Sequence, residues 1–68
     1  MSRVKLNNRI RWFRKRCLLS QSDLAELCYV SKNTVSSWEN YDSYPTAYHA
    51  ALLCDLFKCD FFDLFYFD

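Results

Sequence analysis

Glycine is absent from this 68-residue chain, and proline, methionine and histidine occur once each. Without glycine, no loop can bring its backbone close enough to cradle the phosphates of a nucleotide, which removes the common nucleotide-binding motifs. The single histidine, His49, has no catalytic or ligand motif around it and reads as a surface or half-buried residue. The four cysteines (Cys17, Cys28, Cys54, Cys59) contain no Cys-x-x-Cys pair, so no metal site is assigned. The N-terminus is charged and lacks a continuous apolar run, and no stretch approaches the ~20 apolar residues of a membrane span. The expectation is a cytoplasmic chain with reduced, buried thiols, no cofactor and no membrane contact. No nucleophile–base constellation is visible, so enzyme activity is not expected.

What is present is apolar and aromatic. Hydrophobic residues make up 51% of the chain and aromatics 19%, enough for folding, with large side chains compensating for short length. Residues 1–68 are expected to form a single small domain, with no space for a separate sensing or catalytic unit. Charge is divided unevenly. Met1–Asn40 holds eight basic residues against three acids, net +5, whereas Tyr41–Asp68 holds one base against five acids, net −4. One end is suited to a polyanion and the other is not.

Apolar spacing predicts five helices, at about residues 6–16, 21–28, 32–38, 46–57 and 60–66. Leu6, Ile10, Phe13 and Cys17 recur at helical intervals in the first, and Trp12 falls off that stripe. Ser20 with Asp23 resembles a capping box for the second helix, and Ser31 repeats the capping logic for the third. In the third helix Val35 and Trp38 face inward, leaving Lys32, Asn33, Ser36 and Ser37 on the outer arc. Asn40–Tyr44 reads as a loop, Pro45 fixes the chain before the fourth helix, and Thr46 is its N-cap. Asp60 caps the last. The segment Leu19–Asn40 is thus two short helices joined by a tight turn, the second with small polar side chains outward. That shape and chemistry suit a helix pressed into the DNA major groove.

The chain resembles the phage-repressor and Cro family of helix-turn-helix proteins (the XRE type) from about Leu6 to Phe65. The matching residues are Arg14, Leu19-Ser20-Gln21, Leu24-Ala25, Val30-Ser31, Thr34-Val35, Trp38-Glu39-Asn40, Pro45 and Asp63-Leu64-Phe65. The resemblance implies an all-α, five-helix, lambda-repressor-like DNA-binding domain. It implies base reading by Lys32, Asn33, Ser36 and Ser37, and backbone contact by Thr34 and Asn40. Gln21 would touch a phosphate or brace the recognition helix, and Arg14 and Glu39 would form a structural ion pair. Ser31 belongs with the phosphate-binding set because free N–H groups at helix N-termini attract phosphate. The bases around the first helix, Arg9, Arg11, Lys15 and Arg16, either hold flanking phosphates or are simply solvated, with Arg9 and Arg11 taken as the phosphate candidates; Arg3 and Lys5 form an N-terminal arm or a frayed end. Asn suits adenine, Lys guanine, and Ser is permissive. The family commonly has glycine at the positions matching Leu18, Tyr29, Tyr41 and Lys58. Either those turns are rebuilt here or the fold absorbs left-handed strain.

Leu52, Leu56, Phe62, Tyr66 and Phe67 are apolar where a monomer's surface is expected. They form either a dimer surface or an enlarged core under a folded-back last helix. Family operators are read by two-fold dimers, so the expectation is a Cro-like repressor binding a palindromic double-stranded operator as a homodimer, in a bacterial or phage-encoded setting. The alternative is an antitoxin or antirepressor acting mainly through protein contacts of the acidic, aromatic C-terminal half.

Overall fold

The computed structural model describes residues 5–67 of the chain. Arg3 of the expected N-terminal arm lies outside the described residues. Strand β1 (Leu6–Asn8) leads into α1 (Ile10–Arg16), α2 (Gln21–Cys28), α3 (Lys32–Glu39), α4 (Ala47–Phe57) and α5 (Phe61–Leu64), and strand β2 (Phe65–Phe67) closes the chain. The five expected helices are all present. Two of their ends need correction.

Residues 6–8, expected as the first turn of a helix over 6–16, are extended, and residues 65–66, expected at the end of a helix over 60–66, are extended as well. The two strands pair antiparallel with Leu6 opposite Phe67, Asn7 opposite Tyr66 and Asn8 opposite Phe65. The Asn8 side chain explains the switch at the N-terminal side. Its Oδ1 accepts from the Ile10 amide at 3.0 Å, so the asparagine supplies the partner that a preceding helical turn would have provided. At the other end Phe65-Tyr66-Phe67 is an aromatic triplet that fits a pleated surface better than a helix. Cys17, expected on the inner stripe, is exposed because α1 ends at Arg16.

Local chemistry sets the other starts. Ser20 Oγ accepts from the Asp23 amide at 3.0 Å and Asp23 Oδ2 accepts from the Ser20 amide at 2.9 Å, completing the capping box of α2. That pairing, backbone donation first, holds the Asp23 carboxyl below its usual range. Ser31 Oγ accepts from the Thr34 amide at 3.2 Å, and Thr46 Oγ1 from the His49 amide at 3.2 Å.

The helix ends answer the glycine question. Leu18, Tyr29, Tyr41 and Lys58 all keep the left-handed backbone, with φ of 59°, 59°, 63° and 56°. Each is followed by the same closing hydrogen bond: Leu19 N–H to Arg14 O at 3.1 Å, Val30 to Ala25 at 3.0 Å, Asp42 to Ser37 at 2.9 Å and Cys59 to Cys54 at 3.0 Å. Four Schellman-type ends are therefore built with side chains where glycine is usual.

The core gathers a residue from nearly every element: Ile10, Leu24, Val35, Trp38, Leu53, Leu64 and Phe65 are all 2% exposed or less. Each such side chain contributes about 1.5–3 kcal/mol of hydrophobic stabilisation. Phe65 lets the C-terminal strand share the helices' core, which is what joins the two chain ends.

Candidate nucleic-acid interface

Helix α3 is held from behind by two buried apolar residues, Val35 and Trp38, and by one buried carboxylate. Glu39 has no exposed side-chain surface and receives four donations. Arg14 Nε reaches its Oε2 at 2.6 Å; Arg14 Nη2, Gln21 Nε2 and Arg11 Nε reach Oε1 at 3.2, 3.1 and 3.3 Å. Burial pushes the Glu39 carboxyl up, but donation from Arg14, Gln21 and Arg11 outweighs it and holds the group below the usual glutamate range. Arg14 Nη1 also donates to the Leu19 carbonyl at 2.8 Å. One carboxylate thus fixes α1, the start of α2 and the end of α3 relative to one another.

A second tether lies at the same end. Asn8 Nδ2 donates to the Trp38 carbonyl at 2.9 Å in a buried setting. Sequence reasoning missed this residue by placing it inside a helix. The signal was there, since asparagine two residues before an apolar helical run is a capping residue type.

The outer side of α3 is open at its start. Lys32 and Asn33 are exposed, and Ser31, which caps the helix, is exposed too. Thr34 is half-buried, its hydroxyl 3.0 Å from that of Ser31. Further along, Ser36 and Ser37 are half-buried and meet the chain itself. Asn40 Nδ2 donates to Ser36 Oγ at 3.4 Å, and Ser43 Oγ donates to Ser37 Oγ at 2.8 Å. Gln21 is half-buried in the Glu39 cluster, where it braces α3. The polar arc therefore divides into a free leading end, Lys32–Asn33, and a trailing end supported by the following loop.

The basic residues of α1 divide as well. Arg11 turns to Glu39 and keeps 54% of its side chain exposed beside α3. Arg9 is on another edge: its amide donates to the Leu64 carbonyl at 2.8 Å, its Nη1 to the Asp63 carbonyl at 3.2 Å, and its guanidinium lies 4.2 Å from the centre of the Tyr66 ring. The proposed apolar surface is also uneven. Leu52 and Leu56 pack half-buried against the core, whereas Phe62 and Phe67 stand largely in solvent.

Three of the four thiols are buried or half-buried, whereas Cys17, against the expectation of buried thiols, is exposed. Burial, then the neighbouring Cys54 and Asp63, push the Cys59 thiol up to about 11, and burial raises Cys28 and Cys54 as well. Such thiols are poor nucleophiles at neutral pH. Among the described residues no cluster of three or more His, Cys, Asp or Glu can hold a metal ion, and no helix is long and apolar enough to cross a membrane.

No curated protein sequence matches the chain. Among solved structures it is similar to a candidate DNA-binding protein from Bacteroides fragilis, with 26% identity, a TM-score of 0.80, and coverage of 90% of this chain and 98% of that one. A helix-turn-helix family model matches residues 10–64, from the first residue of α1 to the last of α5. With α2, the Tyr29 turn and α3 forming the two-helix unit inside that span, the chain belongs to the helix-turn-helix family of XRE type.

Proposed function

We propose that this protein is a sequence-specific DNA-binding transcription regulator that lays α3 in the major groove. The observation that carries the reading is the exposed Lys32–Asn33 edge of a helix whose other side is immobilised by Trp38, Val35 and the Glu39 cluster. A stiff helix with a free polar edge gives direct readout its geometry. Asn33 and Lys32 read bases, with Ser36 and Ser37 in supporting contact. Ser31, Thr34, Asn40 and Gln21 border the phosphates, and Arg11 is better placed there than Arg9.

The finer reading is a Cro-like repressor that occupies a palindromic operator as a homodimer. Phe67, Leu52 and Leu56 are the candidate surface for the second copy, with Phe62 at its border. Selection of bound sequences from a random DNA pool, paired with the mass of the complex in solution, tests both parts. The expected product is an inverted repeat bound by two chains. Asn33→Ala should relax one base position in each half-site, at a cost of about 1–3 kcal/mol per contact. Recovery of DNA with no common sequence overturns the reading.

A second reading, capture of a partner protein as in an antitoxin or antirepressor, draws support from Phe62 and Phe67, 73% and 62% exposed. Tight binding to a protein partner without any operator preference selects it.

A further inference from the structure

Between α1 and the corner where α4 meets α5 lies an open cleft of about 970 Å3. Its lining is apolar in the middle. The Phe13 and Phe57 rings stack at 5.5 Å, Trp12 meets Phe13 edge-on at 4.9 Å, and Phe62 contributes a further wall. Trp12 is 51% exposed and Phe62 73%, so two large rings of one cleft stand in water. Grouped exposed aromatics of this kind mark interaction sites more often than isolated ones do.

The rim carries Arg9, Arg16 and Lys58 against a single acid, Asp63. Arg16 is already stacked, its guanidinium 4.8 Å from the Trp12 ring centre. Among the described residues, the only salt bridges are those of Arg11 and Arg14 with Glu39, so the three rim cations have no carboxylate partner. The cleft is thus an aromatic slot with a surplus of basic side chains on its rim, greatest on the α1 side at Arg9 and Arg16, since Lys58 also borders the depression that holds Asp55 and Asp60.

We propose that this cleft binds an acidic segment of a partner protein, with an aromatic side chain seated between Trp12 and Phe62 and flanking carboxylates on Arg16 and Lys58. Charge complementarity defines the occupant: carboxylates answer the rim, and a ring answers the slot. The cleft is open along its length, which suits a segment of a protein rather than an enclosed small molecule. Within this chain several of the aromatics and acids near the C-terminus are already engaged, while Phe62, itself a wall of the cleft, and Phe67 stay exposed, so a second copy is kept as an outcome of the test. Phe61 stacks on Phe65 at 4.8 Å, Asp63 caps α5 and Tyr66 lies under Arg9.

At roughly 100° per residue, Trp12 and Arg16 lie about half a turn around α1 from Arg11 and Arg14, which face α3. An occupied cleft therefore leaves the reading helix free, and the protein could hold DNA and a partner together. The inference does not require that α3 read DNA.

The test is fluorescence anisotropy of a labelled short peptide in which aspartates and glutamates flank phenylalanines, titrated with the intact protein. Two controls accompany it, one with lysines for the acids and one with alanines for the phenylalanines. Saturable binding to the acidic aromatic peptide alone is expected, with a shift in Trp12 emission that Trp12→Phe removes. Arg16→Gln and Trp12→Ala should each weaken binding about ten-fold, while thermal midpoints stay near that of the unaltered chain and Trp12→Ala leaves DNA affinity within about two-fold. Equal binding of all three peptides, no saturation, or insensitivity to Trp12→Ala overturns the proposal. So does self-association that the same two substitutions abolish, which would make a second copy the occupant.

Discussion

Tyr29 is a tyrosine doing the work of a glycine. Its φ of 59° places it in the left-handed region, and the residue is 85% exposed, so packing does not offset the backbone cost. Leu18 is in the same position, 91% exposed at φ 59°. The left-handed conformation costs a residue with a Cβ roughly 1–2 kcal/mol, and here it recurs four times. Closing hydrogen bonds of the Schellman type, together with the buried residues on either side, hold these turns in place. Tyr29→Gly should raise stability by about 1 kcal/mol, which for a domain of this size is a melting shift of roughly 4–8 °C. The gain is limited because glycine also gives the unfolded chain more freedom. Thermal unfolding followed by circular dichroism checks it, and a lower midpoint would show that the tyrosine ring stabilises the turn. The resemblance located these four residues correctly as the places of departure. It could not choose between a rebuilt turn and a strained one, because that depends on whether neighbouring hydrogen bonds over-determine the backbone.

At the scale of elements, helices were legible where capping residues and apolar spacing agreed, as they do for α2, α3 and α4. They were misread where a segment takes its partner from the far end of the chain. Neither Leu6–Asn8 nor Phe65–Phe67 is long enough to show a period of its own, and the pairing of each with the other adds to the local effects of Asn8 and the aromatic triplet. The Arg14–Glu39 pairing was legible through the resemblance, but the convergence of Arg11 and Gln21 on the same carboxylate needed three elements brought together. That convergence has a pH signature. The folded state holds the Glu39 carboxyl below the usual glutamate range, whereas the unfolded chain leaves it at its ordinary value. The stabilisation is therefore complete above that ordinary value and is lost as pH falls through the lower folded value. Urea midpoints measured from pH 6 to pH 3 should fall more steeply for the native chain than for Glu39→Gln. Part of the slope should survive in the variant, since Asp23 is also held down by its capping box. Equal slopes in the two proteins would mean that the cluster does not act through ionised Glu39. At neutral pH the same substitution should cost about 3 kcal/mol, because it leaves Arg14 buried beside a neutral group.

Over the whole molecule, the +5 of the first forty residues overstates the charge that α3 can bring to DNA. Arg14 is buried and, with Arg11, is directed at Glu39; Arg9 lies against Tyr66 and Arg16 against Trp12, on another edge of α1. Lys5 lies over the Tyr41 ring just past α3, which leaves as free cations near that helix Lys32 at its start, the exposed part of Arg11, and Lys15, which shares the Arg11 side of α1. A count of about three phosphate contacts per chain sets the slope of log affinity against log salt near −3, since each neutralised phosphate of duplex DNA contributes about −0.9. A dimer would double it. Reading the charge from sequence alone would give about five contacts and a slope nearer −4.5. Affinity for a selected operator, measured across a series of salt concentrations, separates the two values once the number of bound chains is known. Lys32→Gln should make the slope shallower by about 0.9 per chain, whereas Arg16→Gln should leave it unchanged. A slope that flattens equally with Arg16→Gln would place that edge of α1 on the DNA and remove the separation between the reading helix and the aromatic cleft.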